Sequence, residues 1–143
     1  METNRDEGAG EKRYFIDPNW YHEHERSFAV LISSRLCPAS QKKKVAKSEN
    51  ALLKTISQCC SKWEGFITAD MPILEVVFRI LLANGNQPLS LDEIRDRLQQ
   101  ILTDTTGPRE LSIERLERIL ARDDYYGIRA APAPRVEEPS TVP

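Results

Sequence analysis

No uncharged apolar run in this chain approaches the ~20 residues that span a bilayer as a helix, so no transmembrane segment is expected. Neither sign of charge dominates: 20 basic and 22 acidic side chains leave a formal net charge of -2. That balance excludes a polybasic binder whose affinity for nucleic acid comes from bulk positive charge. Histidine is scarce, at 2, so general acid–base chemistry would rest on carboxylates. The 3 cysteines are an odd number without the spacings of a disulfide framework, which fits a reducing, cytoplasmic setting. Residues 1–12 are polar and acidic and lack the apolar core of a signal peptide. There is no phosphate-cradling glycine loop, no GxGxxG and no recognisable Ser-His-Asp set. What is present is 143 residues, 40% hydrophobic and 29% charged, which is the composition of one globular domain or two very small ones.

The small net charge conceals an asymmetry. Residues 1–63 hold 11 basic and 8 acidic side chains, a net of +3, and residues 64–143 hold 9 and 14, a net of -5. Every lysine lies in the first part. Lys42, Lys43, Lys44, Lys47, Lys54 and Lys62 are opposed there only by Glu49. Such a block forms either a solvated loop and helix face or a local patch attractive to phosphate.

Residues 1–12 lack apolar anchors and read as a disordered tail. Residues 131–143 carry four prolines and read as an extended tail. Between them, Asp17-Pro18 is a helix start, with Asp at the N-cap and Pro in the first turn. It leads through Trp20 and Tyr21 into a helix expected over Glu23–Leu36, which Cys37-Pro38 ends. A second helix is expected over Lys44–Trp63, with Val45, Leu52, Leu53, Ile56, Cys59, Cys60 and Trp63 on one stripe. Asp70 is the expected N-cap of a third, Pro72–Asn84. Apolar residues surround that helix almost completely, which predicts the central core helix, stopped by Asn84-Gly85.

Pro88-Leu89 is a short extended link. Ser90 and Glu93 then form a capping box opening a helix with Leu91, Ile94, Leu98 and Ile101 on one face. A loop at Gly107-Pro108 precedes Ser112, the cap of a last helix with Ile113, Leu116, Ile119 and Leu120 inward. Asp123-Asp124 is a turn. Tyr125–Ile128 reads as a short strand whose period of two sends one tyrosine in and the other out.

The order from Asp70 to Arg129, with Gln87-Pro88-Leu89-Ser90-Leu91-Asp92-Glu93-Ile94 at its centre, resembles a winged-helix domain. It is similar to the small winged-helix modules of bacterial transcription-associated proteins. The resemblance implies a mainly α fold: an N-terminal helical region over residues 13–68, packed on a winged-helix-like domain over residues 69–130 with a minimal β-wing. It also implies a possible DNA-binding role. The sequence departs from it in charge, because the last helix mixes Glu114 and Glu117 with Arg115, Arg118 and Arg122, and Asp123 and Asp124 follow directly. Carboxylates near phosphates are repelled.

Two binding surfaces follow. Lys42, Lys43, Lys44 and Lys47, with Arg115, Arg118 and Arg122, are the candidates for nucleic-acid phosphates. Trp20, Tyr21 and Tyr125 are the candidates for a protein partner, since Trp and Tyr dominate interface hot spots. A homo-oligomer is equally compatible with such a surface. Cys37, Cys59, Cys60, His22 and His24 are the residues able to ligate zinc, although Cys37-Pro38-Ala39-Ser40 has only half of a C-x2-C pair. Packing of Cys59 and Cys60 in the core is the expectation, with no metal and no cofactor. No nucleophile is fixed beside a base, so no catalytic residue is assigned and the chain reads as a non-catalytic binding protein.

Overall fold

The computed structural model of the chain describes residues 12–41, 48–68, 70–106 and 112–132, with the side chains of 102–106 excepted. It is mainly helical, with a small three-stranded antiparallel sheet. Apart from Lys12, Ala131 and Pro132, the two expected tails lie outside the described residues.

A strand opens the described chain. Tyr14 and Ile16 are buried while Arg13 is exposed, the alternation of a half-buried strand, β1, Arg13–Ile16. Four residues are too few for that period to stand out beside the helix start that follows. Asp17 then caps α1, Pro18–Glu23, accepting from the Asn19 N–H at 3.0 Å. The helix expected over Glu23–Leu36 is broken: Glu25 sits in the left-handed region at φ 56°. Ser27 restarts the chain as the cap of α2, Phe28–Ser33, accepting from the Val30 N–H at 3.1 Å. A further turn, α3, Pro38–Gln41, follows Cys37.

Helix α4, Glu49–Gln58, is capped by Ser48 and buries Leu52 and Ile56. The expected start at Lys44 and Val45 lies outside the described residues. At its other end Cys59 leaves helical geometry (φ -128°, ψ -62°) and the chain tightens into a 3-10 turn, Cys60–Lys62. The 3.6-residue stripe therefore stops at Gln58. Trp63, expected on that stripe, is exposed.

Helix α5, Ile73–Ala83, buries Val76, Val77, Phe78, Ile80, Leu81 and Leu82 and is the core helix that its composition predicts. Pro72 stands at its N-cap. Asp70 does not cap it and instead accepts from the Thr68 hydroxyl. The helix ends in a Schellman arrangement: the Asn86 N–H bonds the Leu81 carbonyl at 2.8 Å and the Gly85 N–H bonds the Leu82 carbonyl at 3.0 Å. The Asn86 amide then accepts from the Ile16 N–H and donates to the Ile16 carbonyl, both at 2.8 Å, acting as one residue of a β-partner for β1.

Strand β2, Leu89–Ser90, leads into α6, Leu91–Thr106, through the expected capping box. The Glu93 N–H donates to the Ser90 hydroxyl at 3.2 Å, and the Ser90 N–H donates to the Glu93 carboxylate at 2.9 Å. The loop at Gly107-Pro108 lies outside the described residues. Ser112 caps α7, Ile113–Ala121, which turns Leu116 and Leu120 fully inward.

The last strand, β3, Ile128–Ala130, begins later than the expected Tyr125. Asp123 is the reason. Its buried carboxylate accepts from the Tyr125, Tyr126 and Ile128 N–H groups at 2.8–3.0 Å, winding these residues into a turn. Gly127 completes the turn at φ +76°, where a Cβ would stand 2.8 Å from the Tyr21 ring.

The sheet order is β2-β1-β3, both pairings antiparallel. Tyr14 lies opposite Leu89 on one side and Ala130 on the other. The N-terminal strand is thus the central strand and ties β2 to β3. One continuous core runs from Tyr14 through the helices to Ile128. No described helix is long and apolar enough to cross a membrane.

Candidate functional site

The three cysteines converge. Proline at 38 disfavours helical geometry for Cys37, which places it at the corner between α2 and α3. The corner is held by the Gln41 side-chain amide, which donates to the Leu36 carbonyl at 2.8 Å. Cys59 and Cys60 arrive from the end of α4. The three sulfurs lie within 4.8 Å of one another. Cys37 and Cys60 are buried, Cys59 is exposed, and all three are free thiols. The expectation that Cys59 packs in the core therefore fails: the change from α to 3-10 geometry rotates it outward.

Ser40, one turn after Cys37, is buried among these sulfurs. Its hydroxyl oxygen is 3.4 Å from the Cys37 sulfur and 3.6 Å from the Cys59 sulfur. The Cys37 N–H donates to the Cys60 sulfur at 3.1 Å. Hydrogen bonding with the Ser40 hydroxyl pulls the Cys37 thiol down to about 7, while burial pushes the Cys60 thiol up. His22 and His24 stand apart from this cluster. Both are exposed, and His24 stacks on Trp20 with ring centroids 4.2 Å apart.

A second polar centre joins the turn after α2, helix α5 and the C-terminal turn. Glu75 receives both Arg35 Nη2 on Oε1 (2.8 Å) and Arg35 Nε on Oε2 (3.0 Å). Arg79 Nε donates to Oε2 at 2.6 Å and the Tyr126 hydroxyl to Oε1 at 2.8 Å. Burial alone would raise this carboxyl. The donors from Arg35, Arg79 and Tyr126 outweigh it and hold Glu75 down to about 2. The centre was missed in the sequence. Its one local signal is the Glu75–Arg79 spacing of four on a helix; Arg35 and Tyr126 come from remote positions.

The candidate partner residues separate by burial. Trp20 and Tyr21 are core side chains, and the Tyr21 hydroxyl donates to the Tyr126 carbonyl at 2.6 Å. Tyr125 is 48% exposed. The Arg26 guanidinium lies 4.4 Å from the Tyr125 ring centroid, also faces the Trp20 and Tyr21 rings, and donates to the Tyr125 carbonyl at 2.6 Å. The accessible aromatic surface here is Tyr125 with Arg26.

Of the candidate phosphate contacts, Arg115, Arg118 and Arg122 are exposed on α7 and at its C-cap. Their spacing of three and four sets them on one stripe, opposite Leu116 and Leu120. Glu117 is paired with Lys12 at 2.8 Å. Lys42, Lys43, Lys44 and Lys47 lie outside the described residues. No protein family, curated protein or solved structure matches the chain.

Proposed function

We propose that this chain is a non-catalytic binding protein whose residues 69–130, completed by β1 as the central strand, act as a winged-helix-like unit on nucleic-acid phosphates. The observation that carries the reading is the exposed stripe of Arg115, Arg118 and Arg122 on α7. Of the carboxylates that oppose phosphate on this helix, Glu117 is neutralised by Lys12. Three guanidiniums along one helix face suit three phosphates, each in charge-assisted contact. Direct reading of bases is not part of the proposal, because Glu114 remains exposed on the same helix.

The test is fluorescence anisotropy with a labelled duplex of mixed sequence over a range of salt. Binding is expected at low salt and is expected to weaken steeply as salt rises. Replacing Arg115, Arg118 and Arg122 by Gln should flatten the slope of log K against log salt by about 3, since each phosphate contact contributes about 0.9. Undetectable binding at low salt ends this reading.

A second reading, a protein-docking module, is favoured by the exposed Tyr125 braced by Arg26. An amphipathic ring beside a cation is the make-up of an interface hot spot. Under that reading, Tyr125→Ala abolishes capture of a partner while Arg115, Arg118 and Arg122 are dispensable.

A further inference from the structure

We propose that Cys37, Cys59 and Cys60 form a three-thiolate site for a thiophilic divalent cation, Zn2+ by preference, with the Ser40 hydroxyl at the fourth vertex. Packing does not account for the cluster. Cys59 is exposed, so it is not a buried apolar filler, and Ser40 buries a hydroxyl whose neighbours are sulfurs.

The geometry fits a tetrahedron. Zinc–sulfur bonds of about 2.3 Å put two sulfurs of one tetrahedron about 3.8 Å apart. The three sulfurs already lie within 4.8 Å of one another, so closure on a cation takes small side-chain movements. A sulfur and an oxygen ligand of the same tetrahedron are about 3.5 Å apart. The Ser40 oxygen stands 3.4 Å and 3.6 Å from two of the sulfurs, which is that edge.

The surroundings suit a thiolate centre. The Cys37 N–H already points at the Cys60 sulfur, the kind of outer hydrogen bond that orients a ligand. The exposed Cys59 gives the cation a route in from solvent. Soft sulfur donors select zinc over magnesium or calcium, whose preference is for oxygen. On binding, three S–H bonds lose their protons to solvent, three sulfur–metal bonds and one bond from the Ser40 oxygen form in place of the cation's bonds to water, and no electron is transferred. A neutral hydroxyl is the weakest of the four ligands, so the fourth position is the exchangeable one. The cation would tie the α2–α3 corner to the end of α4.

The test uses the whole 143-residue chain, reduced, loaded with Zn2+ and desalted, then titrated against a chromophoric chelator. Stoichiometric zinc is expected, and Co2+ in its place should give tetrahedral d–d absorption with sulfur-to-cobalt charge transfer. Cys59→Ser changes an exposed side chain and should leave the fold intact. Its expected effect is a loss of affinity of more than about 100-fold, beyond the range that removing an outer hydrogen-bonding residue costs. Ser40→Cys supplies a fourth thiolate and should tighten binding and strengthen the charge-transfer band. No stoichiometric uptake by the reduced wild-type chain overturns the proposal. So does zinc bound with the same affinity and the same cobalt spectrum in wild type, Cys59→Ser and Ser40→Cys.

Discussion

Among the described residues, Glu75 gathers long-range hydrogen bonds from two separate segments, two from Arg35 and one from Tyr126. Arg35 and Arg79 are mostly shielded from water, so the carboxylate is their counter-charge rather than a surface ornament. Its folded value of about 2 lies below the ordinary 4.5, so its contribution is present above pH about 4.5 and is lost as the pH falls toward 2. The size is on the order of 3 kcal/mol, from 1.36 kcal/mol for each pH unit of separation. Thermal melts at pH 7, 4 and 2.5 should show a falling wild-type Tm, with the steepest part of the fall below pH 4. Glu75→Gln should be less stable by about 3–5 kcal/mol at pH 7, because two shielded guanidiniums lose their partner. It should also show a shallower acid limb. Equal acid limbs in the two proteins would remove Glu75 as the source.

At the scale of the element, helix boundaries follow local hydrogen bonds more closely than hydrophobic period. Ser48, Ser90 and Ser112 each open a helix by accepting from an N–H three residues on. Ser90 does so while buried, and Glu93 returns the contact to its N–H. Ser90→Ala removes the acceptor for the Glu93 N–H and should cost about 1 kcal/mol, as a lost cap whose donor is part-buried. Urea unfolding should show this as a lower midpoint with an unchanged m-value. The same substitution at Ser112, which is exposed, is expected to cost less. These boundaries were partly legible. The box at Ser90-x-x-Glu93 and the Asn84-Gly85 stop have dedicated residues and were read correctly. The break at Glu25 was not, because the apolar positions Phe28, Leu31 and Ile32 suit one long helix as well as two short ones. The Asp123 turn was displaced for a similar reason: Tyr125 and Tyr126 favour a strand, and a buried carboxylate overrode them.

For the whole molecule, the decisive feature is that the first strand is the middle of the sheet. Strands β2 and β3 have no ladder with each other; each pairs with β1. Tyr14 and Ile16 also bury their side chains in the common core. Burying two such side chains is worth roughly 3–6 kcal/mol. That is a large part of the ~5–15 kcal/mol by which a domain is stable. A chain lacking residues 1–16 should therefore lose its cooperative thermal transition, read by circular dichroism. Retention of a sharp transition near the wild-type Tm would show that the sheet does not need its central strand. The same architecture bears on the thiol site, since its ligands come from two segments whose approach depends on α2 and α4 packing side by side.

The sequence by itself determined the mainly helical class, the core helix (expected over 72–84, found at 73–83), its left-handed stop and the capping box of the next helix. Each of these depends on residues within a few positions of one another, so period and cap chemistry suffice. It also named the residue types able to hold zinc, without bringing them together. Only the tertiary structure decided that Cys37 meets Cys59 and Cys60, that the histidines stand apart, and that Arg35 and Tyr126 share Glu75. Only it set the first strand between the last two. The physical reason is common to all of these. They join residues far apart in the chain, and it is the burial of one shared core, not any local pattern, that fixes which distant side chains become neighbours.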